Sequence, residues 1–124
     1  MTRPVSRLSL HAEFQQGVVT VHVGGSLEFG VTDSLLATVT DHLDRALAGS
    51  RPVRQLNLDL AGVTFVDSMG LAALLMARRV TDARGVALRL SRRPESLDRL
   101  LRLTCTFDYF MAPAASGGAA TPDQ

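Results

Sequence analysis

One run stands out for its chemistry: Phe65-Val66-Asp67-Ser68-Met69-Gly70-Leu71. A carboxylate followed directly by a hydroxyl, at the start of a helical apolar pattern, suits a helix cap. Either Asp67 or Ser68 can accept from first-turn N–H groups that have no partner within the helix. The same hydroxyl could act as a nucleophile. However, Ser68 does not sit in a G-x-S-x-G turn, and nothing in the sequence assigns His11, His22 or His42 to it as a base, so hydrolysis is not expected. A glycine two residues into a helix costs about 1 kcal/mol relative to alanine. Gly70 therefore points to a close approach, either of another backbone or of a partner side chain.

The helix beyond is apolar over a wide arc in its first two turns. Leu71, Leu74 and Leu75 form one stripe, and Met69, Ala72, Ala73, Met76 and Val80 form a second at the same period. Either the second stripe faces outward as an adaptable Met- and Ala-rich contact surface, or the helix is buried on two sides. The three histidines are not at metal-ligand spacing and read as surface residues, so no metal is expected. Cys105 cannot form an internal disulfide; lying between Thr104 and Thr106 in an apolar stretch, it is expected to be a small buried filler.

The elements that must position this run follow from periodicity. Leu8, Leu10, Ala12 and Phe14 alternate with polar residues as a half-buried strand, Gln15-Gln16-Gly17 turns, and Val18 to Gly24 forms a second strand. Gly24-Gly25 is expected to end that strand. Thr32 can cap a helix running to Gly49, with Val31 and Leu36 placed as a hydrophobic staple. A strand at about Gln55 to Leu60 and a loop from Ala61 to Asp67 lead to a helix from about Ser68 to Ala83, ended by Gly85. Val86, Leu88 and Leu90 make the next strand, Pro94 and Glu95 open a further helix, and Phe107 to Met111 is a short apolar stretch. Strand, helix, strand order demands parallel pairing with right-handed crossovers. The expected fold is an α/β single domain: a mixed four- to five-stranded sheet with three to four helices over residues 8–111, preceded by a short extension (1–7) and followed by a flexible tail (112–124).

With 124 residues, one such domain fills the chain. All thirteen cationic residues are Arg; there is no Lys. That removes the phosphate-loop lysine, Schiff-base chemistry and a lysine general base. The net charge of +1 is spread evenly, which gives no electrostatic footprint for nucleic acid. Arg78, Arg79, Arg92 and Arg93 are read as a solvated face. With no long apolar run and no signal peptide, the expectation is a cytoplasmic protein that does not insert into membranes.

Residues 65–71 resemble the signature of STAS domains, in particular the bacterial anti-sigma factor antagonists, in which an aromatic or apolar residue is followed by Asp, Ser, Ser or Thr, Gly, Leu. Gly25-Ser26-Leu27-Glu28 is similar to that family's Gly-Glu-Leu-Asp turn, and residues 100–110 are similar to its final helix and closing strand. Met69, Glu28 and Cys105 depart from the pattern, standing where a small hydroxyl residue, Asp and Gly are usual. The resemblance implies a non-enzymatic, cofactor-free module. In such a module Ser68 is the phosphoacceptor, Asp67 presents it, and the unphosphorylated form binds a serine-kinase anti-sigma factor and frees the sigma factor. Partner contacts are expected from Glu28, Asp67, Met69, Gly70, Ala72, Ala73 and Met76, and the module itself as a monomer or weak dimer. STAS domains also serve as unphosphorylated structural subunits of transporter ATPases, the alternative role.

Overall fold

The computed structural model describes residues 8–28, 30, 32–49 and 52–112. The expected extension at 1–7, nearly all of the tail and Val31 of the staple lie outside them. Eight elements follow one another: β1 (Ser9–Gln15), β2 (Val18–Leu27), α1 (Thr32–Ala48), β3 (Gln55–Val66), α2 (Ser68–Ala83), β4 (Ala87–Ser91), α3 (Glu95–Leu103) and α4 (Phe107–Met111). The sheet runs in the order β1-β2-β3-β4, with an antiparallel hairpin at one edge and parallel pairs beyond it.

Strand alternation separates two faces. Val19, Val21 and Val23 of β2, Leu56, Leu58 and Leu60 of β3, and Leu88 and Leu90 of β4 are buried in one core with Leu35, Val39 and Leu43 of α1 and Leu71 and Leu74 of α2. The other face carries Ser9, His11, Glu13, Thr20, His22, Asn57, Asp59, Arg89 and Ser91, matched strand to strand by the register. This is the division expected of a sheet covered by helices on one side.

Three expectations are corrected. The segment from Ala61 to Val66 is strand, not loop, and β2 does not stop at Gly24-Gly25 but continues to Leu27. The pairing His22↔Asp59 is followed by Gly24↔Gly62, and Gly25↔Val63 by Ser26↔Phe65, so β3 carries one extra residue at each of two bulges. Each extra residue breaks the period of two, which is why this stretch does not read as a strand. Gly24 and Gly62 meet there with little room: a Cβ on Gly62 would stand 3.1 Å from the Gly24 Cα. Third, Phe107 to Met111 forms a helix and not the closing strand the resemblance implied; with four strands and four helices among the described residues, the sheet and helices are as expected. Cys105 is exposed, not a buried filler, and has φ of 61° between α3 and α4. A left-handed residue is what the turn requires, which accounts for glycine being usual there.

Arg78 also departs from expectation. It is only 4% exposed, on the inner side of α2. Its Nε donates to Asp82 (3.0 and 3.2 Å) and its Nη1 to the Tyr109 carbonyl (2.7 Å), while the guanidinium lies 4.7 Å from the Tyr109 ring centroid. This one side chain ties α4 to α2. Arg78→Ala is expected to cost about 3 kcal/mol in urea denaturation, because the part-buried Asp82 carboxylate and Tyr109 carbonyl lose their donor and the buried space of the Arg78 side chain is emptied. Exposed Arg79→Ala should stay within about 0.5 kcal/mol.

Candidate functional site

The Asp67-Ser68 pair sits where β3 ends and α2 begins, at the carboxyl edge of the parallel strands, where open α/β sheets present their sites. Asp67 is the N-cap, with φ −112° and ψ −174°, and its Oδ1 accepts from the Met69 and Gly70 amides, both at 2.9 Å. The Leu71 amide returns to the Asp67 carbonyl (3.0 Å), and the Asp67 amide donates to the Leu27 carbonyl (3.0 Å). Two of the first-turn donors that a bare helix start would offer to an anion, the Met69 and Gly70 amides, are therefore engaged by the Asp67 carboxylate. Ser68, the first helical residue, is exposed.

Gly70 is buried against the backbone of Leu27. A Cβ there would come within 2.6 Å of the Leu27 carbonyl carbon and 2.8 Å of the Leu27 Cβ, and closer still to the carbonyl oxygen. Of the two readings open for this glycine, close approach of another backbone is the one observed. The end of β2 thus fixes the start of α2, and Glu28, half-buried, follows directly on the residue that makes the contact.

The second stripe of α2 opens outward. Met69 and Met76 are 42% and 43% exposed, and Ala72 between them is half-buried. Phe65, near the end of β3 and three residues before Ser68, is 50% exposed. Ala73 lies elsewhere: it is fully buried in the core with Leu74 and Ala77. Of the residues expected to contact a partner, Met69 and Met76 are presented to solvent, Asp67, Ala72 and Glu28 partly so, and Gly70 and Ala73 face the protein interior. Phe65 was not among them; its exposure follows from the second bulge, which the sequence does not announce.

A second polar group, also not foreseen, lies on the open sheet face. His22 Nε2 is 3.0 Å from Glu13 Oε2 and Nδ1 is 3.0 Å from Asp59 Oδ2. Only the imidazolium can donate to both carboxylates. Buried Asp59 also accepts from the Ala61 amide (3.1 Å) within the first bulge and from two nitrogens of Arg92, of which Nε is at 3.1 Å from Oδ1. A row of alternating charge, Glu13-His22-Asp59-Arg92, thus crosses from β1 to the end of β4. Arg92 and Arg93 are engaged as well, Arg93 with Asp98 at 2.6 Å. No group of three or more His, Cys, Asp or Glu suited to a metal ion occurs among the described residues.

The row has a definite pH dependence. The Arg92 guanidinium, helped by the Ala61 amide and His22, holds the Asp59 carboxyl at about 2, below its ordinary 3.8. The hydrogen bond to Glu13, with further help from Asp59, raises His22 above its ordinary 6.5. Asp59 therefore contributes stability that is complete above pH 3.8 and lost as pH falls through about 2. The contribution of His22 is complete below pH 6.5 and lost as pH rises through its raised value. Asp59→Asn should lower stability at neutral pH by about 2 kcal/mol and flatten the acid limb, read from urea midpoints between about pH 2 and 7.

Comparison with solved structures places this fold among known ones. The anti-sigma factor antagonist from Mycobacterium paratuberculosis is similar over 89% of this chain and 87% of its own (TM-score 0.61, 22% identity). The anti-sigma factor antagonist SpoIIAA in its unphosphorylated form is similar over 77% and 83% (TM-score 0.59, 14% identity). A sulfate transporter family protein from Wolinella succinogenes is similar over 77% and 73% (TM-score 0.62, 22% identity). A search of curated protein sequences gave no match. No helix among the described residues is long and apolar enough to cross a membrane. The family model of the STAS domain matches residues 9–117, nearly the whole of the sequence, and the chain therefore belongs to the STAS domain family.

Proposed function

We propose that this domain is an anti-sigma factor antagonist that works by binding rather than by catalysis. Its unphosphorylated form docks on a serine-kinase anti-sigma factor and displaces the sigma factor, and phosphorylation of Ser68 ends the docking. The observation that carries this reading is the placement of Ser68: an exposed hydroxyl at the start of α2, preceded in sequence by exposed Phe65 and followed by exposed Met69 and Met76.

A phosphate at Ser68 adds about −1.5 to −2 charge at pH 7. With the Met69 and Gly70 amides already engaged by Asp67, the helix start offers it little compensation, and the charge stands beside the Asp67 carboxylate at the docking face. The fold keeps its cap and the surface gains negative charge. The test is to incubate the protein with candidate serine-kinase anti-sigma factors and ATP and to map phosphate by mass spectrometry. Phosphate on Ser68 is expected; its absence with every such kinase, or modification elsewhere, overturns the reading.

The same apolar stripe also suits the alternative, an unphosphorylated structural subunit of a transporter ATPase, because Met69 and Met76 can dock without any contribution from Ser68. Copurification with a transporter ATPase, with Ser68 unmodified, is the result that would favour it.

A further inference from the structure

β1 is an edge strand, paired with β2 on its inner side only among the described residues. Natural edge strands are usually blunted by Pro, Lys or a bulge. β1 has none of these: its seven residues, Ser9 to Gln15, pair with β2 in unbroken register.

Its side chains are self-complementary. When two copies of one edge strand pair antiparallel about a two-fold axis perpendicular to the sheet, residues on the same face must stand opposite each other, so the two residue numbers of every pair sum to one even value. Sums of 26 and 22 put Glu13 and His11, respectively, opposite themselves. A sum of 24 puts His11 opposite Glu13 twice on the open face, Leu10 opposite Phe14 twice on the core face, and Ala12 opposite Ala12 at the axis. Two Glu13 carboxylates facing each other repel, whereas the last register sets a ring N–H of each His11 opposite a Glu13 carboxylate that can accept from it, so this register is selected. The half-buried Leu10, Ala12 and Phe14 gain further cover in it.

We propose that β1 is a homodimer interface in which a second copy of this chain adds its own β1 in the register centred on Ala12, making one eight-stranded sheet. Glu13 holds His22 through Oε2, which leaves Oε1 as an acceptor for His11 of the second copy. The charged row then continues from one copy into the next. Two paired seven-residue strands bury less than a standard interface of about 1,600 Å², so the dimer is weak and reversible. It leaves the α2 face free.

Sedimentation velocity from about 10 μM to 1 mM tests it. The wild type is expected to move from monomer to dimer across that range. Glu13→Arg, which sets Arg opposite His11, should weaken association at least about tenfold, and His11→Glu, which sets Glu opposite Glu13, should do the same. The double variant His11→Glu/Glu13→Arg restores opposite charges and should return to within about threefold of wild type. Both positions altered, His11 and Glu13, are on the exposed side of an edge strand, and thermal melts of each variant establish that it is folded. A wild type that stays monomeric throughout, single variants that associate like wild type, or a double variant as weak as the singles each overturns the proposal.

Discussion

Replacing Gly70 with alanine is expected to lower the stability of the domain by at least about 3 kcal/mol, the upper range for forcing a group into packed space, and to shift the melting midpoint down by about 10 °C. On helix propensity alone the change would be favourable by about 1 kcal/mol. The sign is reversed because the added Cβ meets atoms that cannot swing aside: the Leu27 carbonyl carbon at 2.6 Å and the Leu27 Cβ, fixed to that backbone, at 2.8 Å. Neither can withdraw freely. The Leu27 carbonyl accepts from the Asp67 amide, and Leu27 itself is fully buried. Thermal melts of Gly70→Ala beside Ala72→Gly, a plain loss of helix propensity costing about 1 kcal/mol, separate the two causes. A Gly70→Ala protein as stable as wild type would mean that α2 can slide away from the end of β2.

The second large effect is expected at Ser68, and it rests on the proposed docking. Ser68→Ala should bind the anti-sigma factor as tightly as the unmodified protein, while Ser68→Glu should bind about a hundredfold more weakly. A new negative charge about 5 Å from an acidic group of the partner costs roughly 3 kcal/mol at an effective dielectric near 20, which is about two decades in affinity. Folding stability should move by less than about 0.5 kcal/mol in both variants, since Ser68 is exposed and Asp67 holds the cap. Calorimetric titration alongside melting curves reads both quantities. Equal affinities for the two variants would rule out a charge mechanism.

Much of this architecture was legible from residue order. The hairpin, the parallel crossovers and α2 follow from alternation and from helical spacing, and the Asp67-Ser68 pair at the start of α2 follows from where the pattern changes period. The two bulges were not legible. An extra residue in one strand shows only against its partner's register, and Ala61-Gly62-Val63-Thr64 taken alone carries the small, non-alternating look of a loop. The exposure of Phe65 depends on the same geometry. Non-local pairing also hid the roles of Arg78, Arg92 and His22. Arg78 reaches Tyr109, thirty-one residues away, His22 reaches Asp59 across thirty-seven, and nothing near any of them in sequence distinguishes them from solvated side chains. The division of α2 into a Leu stripe and a Met- and Ala-rich one could be read as a period but not as a direction, which only the seating of Gly70 on Leu27 settles.

That seating bears on speed. Because the start of α2 is pinned to the end of β2 with no clearance, the helix has no second position to travel to when its first residue changes charge. Domain and helix rearrangements run on microseconds to milliseconds and lag behind whatever triggers them. A surface that alters only by one covalent group has no such lag, and every molecule carrying the group is in the same state at once. The proposed switch would then report the ratio of modifying to demodifying enzyme directly, its response time set by their turnover and by how fast a bound partner dissociates.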